Sequence, residues 1–161
     1  MDNPKTAYRR DAALERQRRF YQTVCGLPAR IRPEFARIEF TVGSVGAVTM
    51  PAHLGAPVKV HLLKQSYGRA CPIISHVRAK RWTFLVCPNI PGDDKALYAE
   101  LFRRNVSVVP LGGAVALPSP GDSLLGYRKW VSEPTDEFRP AGTEVIDAIR
   151  RCLSPHGPVI R

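Results

Sequence analysis

The spacing of apolar positions changes along the chain, and each change marks an element. From Asp11 to Cys25 the run DAALERQRRFYQTVC has helical spacing: Leu14, Arg18, Tyr21 and Cys25 fall at i, i+4, i+7 and i+11, with Ala13, Gln17, Phe20 and Val24 beside them. The stripe should pack on the body and leave Arg10, Arg16 and Arg19 more exposed. Residues 1–10 are polar and carry Pro4, so they read as a flexible lead. Gly26 stops the helix and Pro28 confirms the stop. From Arg37 the period falls to two. Ile38, Phe40 and Val42 alternate with Arg37, Glu39 and Thr41, which describes a half-buried strand. Gly43-Ser44 turns the chain, and VGAVTM from Val45 reads as the returning strand of a hairpin. In PAHLGAPVKVHLLKQ, Leu54, Val58, Leu62 and Lys64 return to helical spacing, with Gly55 and Pro57 weakening the first turns.

CPIISH is a short apolar strand, VRAKR a basic turn, and WTFLVCP (82–88) an aromatic and β-branched strand of the kind found at the centre of a sheet. In NIPGDDKALYAELFRRN, Asp93 and Asp94 stand near a helix start and Arg103 and Arg104 near its end, the charge order that suits the helix dipole. VSVVP and GAVALP are two further short strands around Gly112-Gly113. PSPGDSLLG is a loop, YRKWV a short strand or turn, and SEPTDEFRP another loop. Thr143 can cap a final helix, TEVIDAIRRCL, with Glu144 in its first turn. Helices and hairpins thus alternate, which predicts an α+β fold. The expected architecture is a mixed, mostly antiparallel sheet with helices packed on its faces, forming one domain over residues 11–161.

Composition supports this and adds one constraint on partners. The 161 residues, 44% hydrophobic and 24% charged, suffice for one domain with a real core. No apolar run reaches the roughly 20 residues of a membrane span, and the first twenty residues hold no segment of signal-peptide type. Cys25, Cys71, Cys87 and Cys152 form no Cys-x-x-Cys pair and have mostly apolar neighbours, so they read as reduced thiols of a cytoplasmic protein. Charge changes the picture: 24 Lys+Arg against 14 Asp+Glu give +10, which brings nucleic acid and other polyanions into play as partners.

The cations cluster. HVRAKRW places Arg78, Lys80 and Arg81 on one turn ahead of Trp82, Arg16 and Arg19 load the first helix with Arg9, Arg10 and Arg18, and Arg103-Arg104 ends a later one. On one face such a set would neutralise phosphates, with Trp82 or Tyr127 stacking on bases. Dispersed, it would be a solvated basic surface, or a helix that docks on an acidic partner. Catalytic patterns are thin. Two-metal nucleotidyl transfer needs clustered carboxylates, but Asp93-Asp94 suits a helix start, and Asp122, Asp136 and Glu137 read as solvated turn residues. His53 and His61 are too far apart for a His-x-x-x-His ligand pair. Ser75, Ser119 and Ser123 lack a Gly-x-Ser-x-Gly setting, and neither phosphate-loop glycine pattern occurs. Of His53, His61, His76 and His156, His76 is best placed to touch a phosphate or act as acid–base, because it ends a strand beside the basic turn. No metal and no cofactor is expected.

CPIISHVRAKRWTFLVCP, followed by a helix, then VVPLGGAVALPSP, GYRKWVSEPTDEFRP and a closing helix, resembles the N-terminal domain of bifunctional DNA primase–polymerases. More closely, it looks like small stand-alone actinobacterial proteins of that pattern. The resemblance spans residues 45–152 and is carried by RWTFLV, the LPSP segment and the YRKWV block. In active members an acidic pair on a strand binds metal, and a histidine starts a later strand after a glycine-rich turn. Here the matching strand is GAVTM, which has no acid. Trp82 stands where the histidine would be, VRAK replaces the glycines, and His76 is six residues away. The resemblance therefore implies a primase–polymerase-like scaffold without catalytic residues. Such a scaffold would bind nucleic acid through a basic face built from Arg78, Lys80, Arg81, Trp82, Arg16, Arg19, Arg103 and Arg104. The alternative is a protein-interaction adaptor or regulator of a transcription or replication complex, docking on an acidic protein through the helix at 11–25. A residual site at His76 is the third expectation.

Overall fold

The computed structural model describes residues 3–154, so the end of the expected domain, His156 included, lies outside the described residues. Helix α1 (Pro4–Thr23) starts where Asn3 accepts the Lys5 N–H, with Pro4 in the first turn, where its missing N–H is no loss. Residues 4–10 are therefore helical rather than a lead. A cap and a first-turn proline start a helix without leaving any hydrophobic period.

Strand β1 (Arg30–Arg32), a 3-10 turn at Pro33–Phe35 and β2 (Arg37–Thr41) follow, with Arg30 opposite Glu39 and Arg32 opposite Arg37. β3 (Gly46–Pro51) does not return along β2, as the sequence led one to expect. The two strands enter different sheets. Both carry apolar residues at period two, and that period cannot distinguish a hairpin from a step between stacked sheets. The chain continues through α2 (Ala52–Gln65), β4 (Ile73–His76), β5 (Arg81–Val86), α3 (Lys95–Arg103), β6 (Ser107–Val108), β7 (Ala114–Leu117), α4 (Asp122–Leu125), β8 (Arg128–Ser132) and α5 (Gly142–Leu153). The small sheet has the order β1-β2-β7, the large one β6-β3-β5-β4-β8, and every ladder is antiparallel.

The large sheet is buried on both faces, which explains its nearly continuous apolar strands. Val48, Met50, Ile73, Phe84 and Val86 meet Leu54, Val58 and Leu62 of α2, Leu97 and Leu101 of α3, and Val145, Ile146 and Ile149 of α5. Ala47, Ile74 and Leu85 point the other way, against Ile38 and Phe40 of β2, Val115 and Leu117 of β7, and Leu14 and Tyr21 of α1. The fold is α+β as expected, with one correction: the second face is covered by another sheet together with α1, not by helices alone. Gly55 brings α2 close to β5, since a Cβ there would lie 2.7 Å from Trp82 Cε3. At α5 the cap comes from outside the helix. Asn89 Oδ1 accepts the Thr143 N–H at 2.9 Å, and its amide donates to Thr143 Oγ1 at 2.9 Å, replacing the self-cap read from Thr143. Among the described residues no helix is long and apolar enough to cross a membrane.

Candidate nucleic-acid interface

Strand register builds the site. β8, β4 and β5 lie side by side, with Arg128 opposite His76 and His76 opposite Arg81. Side chains alternate across a sheet. Ile74, Leu85 and Trp130 pack toward the small sheet, so His76, Arg81 and Arg128, an even number of residues away on the same strands, share that face. One row inward, Thr83 and Ser107 both lie opposite Thr49. The face thus grades from apolar (Ala47, Leu85) through hydroxyl to an Arg–His–Arg row across three strands. Its two arginines are about 10 Å apart at the backbone, twice the strand spacing.

Each guanidinium is tethered. Arg81 donates from Nε to Thr49 Oγ1 at 3.3 Å and from Nη2 to the Asn105 carbonyl at 3.0 Å. Arg128 Nε donates to Asp122 at 3.2 Å, and the same carboxylate oxygen accepts the Ser119 N–H at 2.9 Å. Ser119 Oγ in turn accepts the Ile38 N–H at 2.9 Å, which links the small sheet to Arg128. Asp122, read from sequence as a solvated turn residue, is only 8% exposed. The turn from Ser119 folds it inward and Arg128 satisfies its charge. His76 Nε2 lies 2.8 Å from Thr83 Oγ1. Burial, then the charges of Arg128 and Arg81, hold the His76 pKa below the ordinary histidine range. The imidazole is therefore neutral at physiological pH.

Arg78 and Lys80 extend the row outward from the exposed turn between β4 and β5. The Arg78 guanidinium lies 4.5 Å over the Tyr127 ring and donates to the Leu125 carbonyl at 3.2 Å. No ion pair among the described residues engages Arg78, Lys80 or Arg81. Arg103 and Arg104 end α3, which packs on the opposite, helix-side face, and they line a hollow with Glu100 and with Arg150 of α5, so the structure sets them apart from the row. Arg16 and Arg19 sit on α1, which packs on β1 and β2, and Arg19 lies 3.9 Å from Glu15. No contact joins these two residues to the row.

Trp82 is a correction. As the neighbour of Arg81 it points to the opposite face, where it packs on Gly55 and the helix-side core. Its ring is not offered to a base. The partly exposed Tyr127, stacked with Arg78, is the aromatic on this side. Sequence reasoning missed Arg128, Thr49 and Thr83 as members of the site. The alternation in YRKWV puts Arg128 with Trp130, but only the register against β4 sets it beside His76. Among the described residues, no three of His, Cys, Asp and Glu gather where they could hold a metal ion. No family model matches this chain, and no curated protein or solved structure matches it either.

Proposed function

We propose that this chain is a non-catalytic, primase–polymerase-like domain that binds nucleic acid through the Arg81–His76–Arg128 row and the Arg78–Lys80 turn. The observation that carries the reading is the row itself. Two guanidiniums are held in place mostly by neutral acceptors, with hydroxyls behind them and a single bonded carboxylate, Asp122. Fixed guanidiniums with free N–H groups suit phosphate oxygens, and a neutral imidazole between them adds a hydrogen bond without further like-charge repulsion. Tyr127 then offers a ring to a base beside the phosphates. β3 supplies the Thr49 hydroxyl and no carboxylate to this face, so the reading contains no metal-assisted step.

Fluorescence anisotropy with labelled single-stranded and duplex DNA across a salt series tests it. Four cations (Arg78, Lys80, Arg81 and Arg128) predict a log–log salt slope of about −3 on a single strand, at about −0.7 per phosphate. Binding should survive about 150 mM salt. Arg78→Glu with Arg81→Glu should weaken binding at least tenfold and flatten the slope by about 1.4. Unchanged affinity in that variant, or wild-type binding that vanishes before physiological salt, refutes the reading.

A further inference from the structure

Helix α2 is apolar on two sides. Leu54, Val58 and Leu62 enter the core. On the opposite side Ala56, Val60 and Leu63 are exposed, and Tyr67, just past the helix end, is 99% exposed. A helix that is apolar all round is ordinarily buried all round, yet this outer stripe meets solvent. Its helical members Ala56, Val60 and Leu63 stand at i, i+4 and i+7, the 4-3 spacing of a coiled-coil seam. With Val60 at a, and Ala56 and Leu63 at d, Lys59 falls at g and Lys64 at e, one on each side of the seam. α2 has no Asp or Glu, and among the described residues neither lysine makes an ion pair. The helix ends just beyond the seam. Tyr67 has φ 55° and Gly68 φ 87°, so the left-handed position that ends the helix, usually given to glycine, is held by a tyrosine whose ring stands in water.

We infer that the outer face of α2 is a docking seam for an acidic amphipathic helix of another protein, with apolar residues at its a and d positions and glutamates flanking them. Charge decides between occupants. A second copy of this chain would set Lys59 and Lys64 against lysines in either helix orientation, because g and e are both cationic and nothing on α2 balances them. A helix with Glu at e and g pairs with both lysines and covers Val60, Leu63 and Tyr67. This surface belongs to α2, on the opposite face of the large sheet from the Arg81–His76–Arg128 row, and the inference stands whether or not nucleic acid binds there.

The test uses the full chain and two synthetic helical peptides of about three heptads, both with Leu at a and d, one with Glu and the other with Lys at e and g. Calorimetry and backbone NMR should show one Glu peptide bound per chain, with shifts confined to α2 and Tyr67, and at least tenfold weaker binding of the Lys peptide. Lys59→Glu with Lys64→Glu should reverse that preference. Val60→Ser with Leu63→Ser, both at exposed positions, should abolish binding while leaving the melting transition in place. Arg78→Glu with Arg81→Glu should leave peptide binding unchanged. Equal binding of the two peptides, shifts centred on the β4–β5 turn, no binding of the Glu peptide at millimolar concentration, or a wild-type dimer dissociated by the Val60/Leu63 variant would each overturn the inference.

Discussion

Replacing Glu39 by glutamine removes one charge from the outer side of the small sheet, and the structure sets the size of the loss. The Glu39 side chain is 1% exposed although its sheet face is not covered by another layer. Three arginines cover it: Arg30 and Arg32 each donate to Oε1 at 3.1 Å, and Arg37 donates to Oε2 at 2.9 Å. Arg32 and Arg37 are directly opposite in the ladder, a destabilising pair of like charges unless an anion sits between them. Hydrogen bonds from charged donors contribute about 1.5–3 kcal/mol each. The guanidiniums are 54, 38 and 32% exposed and regain water when released, and glutamine keeps one acceptor oxygen. The net loss should therefore be about 2 kcal/mol, above the ~0–1 kcal/mol of an exposed pair.

Urea unfolding at neutral pH reads this as a midpoint lowered by about 1 M with an unchanged slope. Glu34→Gln, which removes only the exposed partner of Arg32, should leave the urea midpoint at the wild-type value. The pH dependence has a definite sign. Burial alone would raise the Glu39 pKa, but the hydrogen bonds from Arg30 and Arg37 and the charges of Arg37 and Arg32 lower it overall. A depressed carboxyl pKa stabilises the fold above the unfolded-state value, and that stabilisation disappears as pH falls through the folded value. The gap between wild type and Glu39→Gln should hold at neutral pH and close below the ordinary glutamate range. A variant within 0.5 kcal/mol of wild type, or a gap indifferent to acid, would refute the reasoning.

Other predictions are checked with the same protein. Gly55→Ala should lose about 1 kcal/mol in urea melts: the helix-propensity gain of about 1 kcal/mol is outweighed by about 2 kcal/mol of overpacking against Trp82, and Trp82→Leu in the same chain should relieve the clash. The His76 ring should titrate below the ordinary histidine range by NMR and move upward when a bound oligonucleotide offsets the Arg81 and Arg128 charges; an unmoved titration in a saturated complex would place the phosphates elsewhere. With its folded pKa depressed, His76 favours the fold above the ordinary histidine value and withdraws that contribution as pH falls below it. Tyr127→Ala should weaken single-strand binding by about 1–3 kcal/mol without changing the salt slope, because a ring carries no charge.

Local pattern made several elements legible. WTFLV, the Asp94-capped α3 and the amphipathic α5 follow from period, cap and charge order read over a few residues. Which sheet a strand joins was not legible, because Ile38–Phe40 and Val48–Met50 share one period and are separated only by a turn. The site shows the same division. Arg81 and Trp82 must face opposite ways on any strand, yet only the packing of Trp82 on Gly55 of α2 tells which one meets water. The row needs β8 beside β4 in a single register, and a bulge between Ile73 and Ile74 shifts that register. Asp122 was misjudged for a related reason: a proline-flanked loop reads as solvent-facing until Arg128, on a later strand, arrives to pair with it.

The position of α5 in the chain also sets the order of events in time. It closes the helix-side core with Val145, Ile146, Ala148 and Ile149, and it is tied to β5 by Cys87, whose N–H bonds to the Pro140 carbonyl and whose carbonyl accepts the Gly142 N–H. Until α5 is in place, α2 and the large sheet share an unsealed apolar layer. Vectorial synthesis therefore yields a chain with its hydroxyl and arginine rows nearly complete and no lid on its interior. A chain truncated before Gly142 would leave that apolar layer open to water, so it should aggregate rather than fold as a smaller domain.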